Sequence, residues 1–179
     1  MDWPRGDLLT VNTDNEIKLA VAETLKSADF QRGSNTWYRG LEETVLVVNV
    51  QKSNFGEQYY LNLGVFVKGL PVNLGGKLPP KENQCHIRLR IEALKRDEEH
   101  QLKQFLNRED KSIGTTDRKR GIETAIARIA LPFLLQCSTR AGIKEANRQG
   151  QLDSALVRRG PGDHVRDRDR GRCLFSCID

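Results

Sequence analysis

Seven polar side chains in the middle of the chain have types that recognise carboxylate or phosphate groups. Amides and phenols exchange hydrogen bonds, and a guanidinium can hold either anion through two parallel bonds. The candidates are Asn49, Gln51, Tyr60, Asn62, His86, Arg88 and Arg90. Because they alternate with apolar residues, we expect them on one face of a sheet, where they would form a binding surface. The alternative is the solvated face that a one-sided antiparallel sheet must have.

Other chemistries have weaker support in the residue pattern. Cys85 and His86 are adjacent and would point to opposite faces of a strand, and no CxxC or HxxxH motif accompanies them, which argues against zinc. A cysteine nucleophile would need a base beside Cys85, which the pattern predicts to be a small core residue. A metal-dependent nuclease would need carboxylates around Lys52, but the polar residues before it, Asn49 and Gln51, are amides. We therefore expect no catalytic residue, metal or cofactor, and enzymatic activity is the less favoured hypothesis.

A β-hairpin is predicted to position the polar candidates, with a preceding strand, within residues 35–67. Its arms, ETVLVVNVQ and QYYLNLGVFV, flank the loop SNFGE, in which Gly56 suits a positive φ. The apolar positions that alternate with the polar ones predict the core face: Leu46, Val48, Val50, Leu61, Leu63 and Val65. The preceding strand covers residues 36–39. A fourth strand is predicted from Cys85 to Ile91, with Cys85, Ile87 and Leu89 sharing its apolar face.

Helices are predicted on both sides of these strands. The capping box Thr13–Glu16 begins a helix whose apolar stripe continues to about Phe30, and Gly33 is expected to end it. After the strands, residues 98–107 predict a short amphipathic helix. The order favours an α+β fold, with an antiparallel sheet of about four strands and the N-terminal and C-terminal helices packed on one face.

A longer helix is predicted to open near Thr116. Pro132 lies inside it and predicts either a kink or a break between two helices. Gly142 is expected to end or interrupt it, and residues 144–158 could form another short helix.

Composition indicates a single domain of moderate size. The 179 residues carry a net charge of +5 and are 37% hydrophobic. We predict an extended leader at 1–12, one α+β domain at 13–158 and a disordered mixed-charge tail at 159–179, with a long Pro/Gly loop at 68–84. Four scattered cysteines and no apolar run of membrane-spanning length favour a reducing cytoplasm.

Two motifs carry a resemblance to a known family. The first runs from Asn49 to Gly56 as NVQKSNFG and is followed by NLG at 62–64; the second is CHIRLR, from Cys85 to Arg90. Over roughly residues 14–110 the chain resembles the bacterial family Domain of Unknown Function 4304. That resemblance implies the fold but no established activity. Phe105 stands where relatives tend to carry tryptophan, and small bacterial domains of this type are often neighbours of toxin or defence genes.

Together these patterns predict a non-enzymatic binding protein. We expect a protein partner on the polar and arginine face, as for an immunity- or antitoxin-like inhibitor. The alternative is nucleic-acid binding through Arg88, Arg90, the run Arg118–Arg120 and the tail, which the basic charge allows.

Overall fold

The computed structural model describes residues 15–70 and 79–157, and within them the chain forms the α+β fold expected. The strands are β1 Gln31–Gly33, β2 Thr36–Gly40, β3 Thr44–Lys52, β4 Tyr59–Val67, β5 Ile87–Arg90 and β6 Leu156–Val157. The helices are α1 Glu16–Lys26, α2 Glu99–Phe105, α3 Thr115–Ala125, α4 Leu131–Gln136 and α5 Arg140–Arg148, and a π-helical turn, Ile126–Ala130, joins α3 to α4. The predicted leader, the tail from residue 159 on and residues 71–78 of the long loop lie outside the described residues.

All six strands form one antiparallel sheet, in which each strand pairs with its neighbours in sequence. The predicted hairpin is confirmed: β3 and β4 pair along nine positions, with Val48 opposite Leu63. Sequence reasoning expected about four strands and missed β1 and β6. These have three and two residues, too few to display an alternation.

One face of the sheet carries the main core. The six predicted core residues of the hairpin are all buried there, and α1, α3 and the π turn pack over them with fully buried side chains such as Ile17, Leu25 and Ile126. Trp37 of β2 joins this cluster, as do Ile87 and Leu89 of β5. Because the helices pack on a single face, they do not cover the opposite face of the sheet.

The opposite face is apolar over one half, which the hairpin pattern did not predict. Val45, Val47, Phe66 and Cys85 form a second buried cluster there, with Tyr38 packed against it. A 3₁₀ turn, Glu82–Gln84, contacts β3 and β4 on this side. Only the other half of this face is therefore open to carry polar residues.

The prediction that Cys85 shares a face with Ile87 and Leu89 is wrong. β5 begins at Ile87, and a bend at His86 interrupts the strand alternation. The Cys85 side chain consequently packs in the second cluster instead of the main core. Strand parity holds only where the backbone is continuously extended.

The ends of the first helix also differ from the prediction. Asn15, not Thr13, is the N-cap of α1, and its Oδ1 accepts from the Lys18 amide at 3.1 Å. α1 ends at Lys26, and Gly33 lies in β1 instead of ending the helix. A turn at 27–29, with Asp29 at a φ of 60°, ends the helix and leads the chain into β1.

Pro132 does not split the long helix. The π turn before it closes with a bond from the Leu131 amide to the Ile126 carbonyl, so the helical backbone reaches the proline and continues as α4. The actual break is at residues 137–139, before α5. Gly142 lies inside α5, where a Cβ would come within 1.8 Å of the Gln136 carbonyl oxygen, so it permits close approach and does not end a helix.

Candidate functional site

The open half of the second sheet face brings most of the predicted candidates together. In the register, Asn49 lies opposite Asn62, and Gln51 lies opposite Tyr60. β5 then places Arg90 opposite Asn62. We call these five residues the amide face. Their placement on one face is as expected, because β3, β4 and β5 are continuous and antiparallel through these positions.

Hydrogen bonds between side chains order the amide face. Asn62, which is 7% exposed, donates from Nδ2 to Gln51 Oε1 at 3.0 Å and to Asn49 Oδ1 at 3.3 Å. Asn49 in turn donates to Thr36 Oγ1 at 2.9 Å and to the Asn35 carbonyl at 3.2 Å. This ladder uses much of the hydrogen-bonding capacity of Asn49 and Asn62, so their role is to hold the surface. Gln51 lies at its exposed outer end.

Arg90 forms the charged end of the amide face. Its guanidinium carbon lies 3.9 Å from the centroid of the Tyr60 ring, and the arginine remains exposed. A cation on an aromatic face is stabilised by about 0.5–1 kcal/mol at an exposed site. The contact with Tyr60 therefore positions an exposed guanidinium at the surface.

Arg88 and His86 are not part of this open surface. Arg88 makes two bonds to Glu82, at 2.8 and 3.2 Å, and so ties the 3₁₀ turn to the sheet. His86, only 2% exposed, accepts the Val67 amide at Nδ1 over 3.0 Å, and its ring centroid lies 4.9 Å from that of Phe66. The expectation that His86 extends the open polar face is wrong, because its ring is buried between Phe66 and the Val67 amide.

The hairpin tip, residues 53–57, adds an apolar group that sequence reasoning did not select as a site. Phe55 is 98% exposed. The Glu57 carboxylate pairs with Lys52 and, at 3.0 Å, with Arg108, while the Glu57 amide donates to Glu109 Oε1 at 3.1 Å. The signal available in the sequence was a single aromatic residue inside the polar loop SNFGE.

A second set of ion pairs holds the base of the hairpin tip to α1. Arg108 pairs with Glu16 at 3.1 Å as well as with Glu57. Burial raises the pKa of the Glu16 carboxyl, but the bonds from its own amide and from Arg108, with the charges of Arg108 and Arg118, bring that pKa below its ordinary value. Glu16 therefore stays ionised, and the tip is fixed to the body of the domain.

Comparison with protein-family models matches residues 21–136 to the family described as Domain of unknown function (DUF4304). The chain belongs to this family. Comparison with curated proteins and with solved structures gave no match. The part that matches DUF4304 contains the whole amide face and the hairpin tip, whereas β6 lies beyond it.

A small cavity continues the amide face at the β5 edge of this DUF4304 domain. We call it the edge pocket; its volume is about 270 Å³. It is lined by Arg90, Glu92, Arg96, Glu99, Lys103 and Ser154. Burial raises the pKa of the Glu92 carboxyl, and the hydrogen bond from its own amide and the positive charges of Arg90 and Lys103 oppose this only in part. Sequence reasoning missed the pocket because Ser154 meets the other residues only through the pairing of β6 with β5.

A larger cleft, of about 490 Å³, lies between α2 and the α3–π segment. Its rim carries Arg120 and Arg128, and Leu102, Phe105 and Ile129 lie along its floor. The Phe105 ring packs directly against Gly121, where a Cβ atom would lie 2.6 Å from the ring. Polar side chains such as Lys95, Glu98 and Asp117 also line the cleft. Among the described residues, however, no buried polar atom that lacks a partner belongs to its lining, as Glu92 Oε2 does in the edge pocket, so the amide face and the edge pocket remain the better-formed site.

The basic run proposed for nucleic acid does not form an exposed strip. Arg118 is 3% exposed, and its guanidinium donates to backbone carbonyls of residues 104–113. Lys119 pairs with Glu23 at 2.7 Å and lies 3.8 Å from Glu123. Arg120 remains exposed. Two of the three cations are thus engaged in holding the fold.

The described residues contain no group of three His, Cys, Asp or Glu side chains placed to hold a metal ion. Cys85 and Cys137 are both buried, and burial raises the pKa of the Cys137 thiol to about 12. A thiol with so high a pKa is a poor nucleophile at neutral pH. In the same part of the chain, no helix is long and apolar enough to cross a bilayer.

Proposed function

We propose that this DUF4304 domain is a non-enzymatic binding protein that engages a protein partner through the amide face and the hairpin tip, as an immunity- or antitoxin-like inhibitor does. The observation that carries the proposal is the exposure of Phe55, 98%, on a loop that three side chains clamp to the body of the domain. Burying a phenylalanine side chain contributes about 1.5–3 kcal/mol, which none of the described residues supplies to Phe55 and which a partner would supply.

The arrangement around Phe55 supports a specific contact. Phe55 comes four positions after Gln51, so the two lie within about 13 Å along the chain. Arg90 and Tyr60 supply the residue types that dominate interface energetics, and they are already stacked on each other. Groups ordered before association lose little conformational entropy on binding, which favours affinity.

The shape of the hairpin tip supports an inhibitor-like role. A clamped loop that presents an aromatic side chain can enter a concave site on another protein without rearranging, as rigid inhibitor complexes do. Arg90, exposed on the amide face, adds positive charge that would complement an acidic rim on the partner.

Site-specific photo-crosslinking in extracts of the host cell tests this proposal. A crosslinking amino acid at Phe55 should give one discrete adduct, whereas the same group at Arg148, 73% exposed on α5, should not. In direct binding to the recovered partner, Phe55→Ala should weaken affinity at least about tenfold, given the burial energy of the ring. Adding the domain to the recovered partner should reduce that partner's activity.

Several results would contradict the proposal. The same adducts at both positions, no adduct at Phe55, or unchanged affinity of Phe55→Ala would show that the tip is not a contact. Binding to nucleic acid that weakens steeply as salt rises would instead support the alternative function.

A further inference from the structure

The geometry points to the edge pocket as the site that receives an aspartate or glutamate side chain of the partner, with Arg90 and Arg96 binding its carboxylate and Glu92 sharing a proton with it. This inference rests on the proposed function, because it names the chemistry of the partner at the margin of the same surface. It depends on one buried carboxyl group and the cations around it.

Glu92 is the unusual group in the pocket. The residue is 5% exposed, and its Oε2 meets no hydrogen-bond partner among the described residues. Buried polar atoms nearly always have a partner, so an orphaned oxygen in the wall of a cavity indicates a ligand that supplies one. Glu92 also lies in a 3₁₀ turn, Ile91–Leu94, that directly follows β5 and therefore cannot easily move away from the pocket.

The charges around Glu92 select an anion. Arg90 of β5, Arg96 of the next 3₁₀ turn and Lys103 of α2 line the pocket, and Glu99 is the other acid there. Lys103 is paired with Glu99, and Arg96 Nη2 donates to Ser154 Oγ at 2.7 Å, which aligns its guanidinium with the cavity wall. Because the charges of Glu99 and Lys103 offset each other, the charges of the two arginines remain. They repel an ammonium group and attract a carboxylate.

No further charged side chain of the described residues lines the pocket. In the turn that carries Arg96, Asp97 is exposed and Glu98 lines the larger cleft. From β4, Tyr60 lies beneath Arg90 and Tyr59 is buried in the main core. From the π turn, Arg128 lines the larger cleft instead.

A carboxylate suits Glu92 better than a phosphate does. Burial raises the pKa of Glu92, which makes the neutral carboxyl easier to form, and a neutral carboxyl can donate its O–H to one carboxylate oxygen. The two groups then share one proton in a short O–H···O⁻ bond, and binding takes up one proton from solvent whenever Glu92 was ionised beforehand. A phosphate dianion would place a second negative charge against Glu92 and the paired Glu99.

The test is an NMR titration of the full chain with acetyl-glutamate amide, and with acetyl-lysine amide and inorganic phosphate as comparison probes. The glutamate probe should shift the Arg96 side-chain Nε–H and the Ser154 amide, and should bind more tightly as pH falls through the Glu92 titration. Arg96→Ala should weaken this binding at least about tenfold, since a charged hydrogen bond is lost, while Arg148→Ala should have no effect.

Glu92→Gln separates the proton-sharing role from a general charge effect. The amide cannot ionise, so this variant should bind the glutamate probe with an affinity that no longer depends on pH in the same range. Tighter binding of the lysine or phosphate probe, unchanged pH dependence in Glu92→Gln, or shifts spread equally over exposed arginines would overturn the inference. Partner capture through Phe55 without any probe binding would overturn it too and leave the proposed function intact. Probe binding without partner capture would overturn the proposed function, and with it the assignment of the carboxylate to a partner, while the edge pocket would stand as a carboxylate site.

Discussion

Replacing Arg118 with alanine should destabilise the domain more than the loss of any exposed cation. Its guanidinium donates to the carbonyls of Gln104 and Phe105 at 3.0 and 3.1 Å and to that of Asp110 at 2.7 Å. It also lies 3.7 Å from the Glu16 carboxylate, and the residue is 3% exposed. One side chain therefore joins the end of α2, the loop before α3 and the start of α1.

The expected loss is about 3–5 kcal/mol, the usual cost of removing one partner from a buried ion pair. Summing the individual bonds at about 1.5–3 kcal/mol each would overestimate it, because water can enter the loop after truncation and satisfy some carbonyls. Arg120→Ala is the matched control. Its side chain is 74% exposed, and the change should stay within about 0.5 kcal/mol.

Urea unfolding at constant pH measures both variants, and hydrogen exchange reports the loop. In Arg118→Ala the amides of residues 107–113 should lose protection before the sheet does, because the loop loses the donor on which its carbonyls converge. Arg118→Lys should be intermediate, since an ammonium reaches fewer acceptors. A loss below about 1 kcal/mol with unchanged loop protection would refute the assigned role, because it would fall well short of the usual cost of breaking a buried pair.

Three further predictions follow from the packing and the buried titratable groups. Gly64→Ala would place a Cβ 2.7 Å from Cys85 Sγ and should cost about 1–3 kcal/mol in urea unfolding, whereas adding Cys85→Ala should recover part of that loss; strict additivity would contradict the contact. Burial raises the pKa of Glu92 in the folded protein above its unfolded value of about 4.3, so between these two pKa values the folded state binds more protons than the unfolded state. As pH rises through this range, the free energy of unfolding of the wild type should therefore fall relative to that of Glu92→Gln. With its pKa at about 12, Cys137 should resist iodoacetamide at pH 8 in the folded protein and react after unfolding, as mapped by mass spectrometry; fast labelling in the folded state would reopen the cysteine hypothesis.

The hairpin was predictable because local physics determines it. The two long runs alternate apolar and polar residues near the hairpin loop, which identifies the core face, and the loop sets the register, so Leu46, Val48 and Leu63 were correctly assigned to the core. The same reasoning brought Asn49, Gln51, Tyr60 and Asn62 to one face. Whether that face binds a partner stays a prediction.

The errors occurred where the backbone departs from regular geometry. The bend at His86 placed Cys85 on the face opposite to the one expected and left His86 buried against Phe66, and no residue type at 85–87 announces it. The π turn before Pro132 allowed a helix to pass a residue that usually interrupts one. The break after Cys137 comes five residues before Gly142, the expected stop signal.

The sequence by itself determined the fold class, the register of the hairpin and the side chains available on its polar face, because periodicity and turn chemistry act over a few neighbouring residues. Tertiary structure decided which of those side chains stay available. It buried His86, paired Arg88 with Glu82, took Arg118 into the interior and set Arg96 beside Ser154, 58 residues further along the chain. The physical reason is that exposure and charge pairing depend on groups that are distant in sequence and meet only after the sheet and helices have packed.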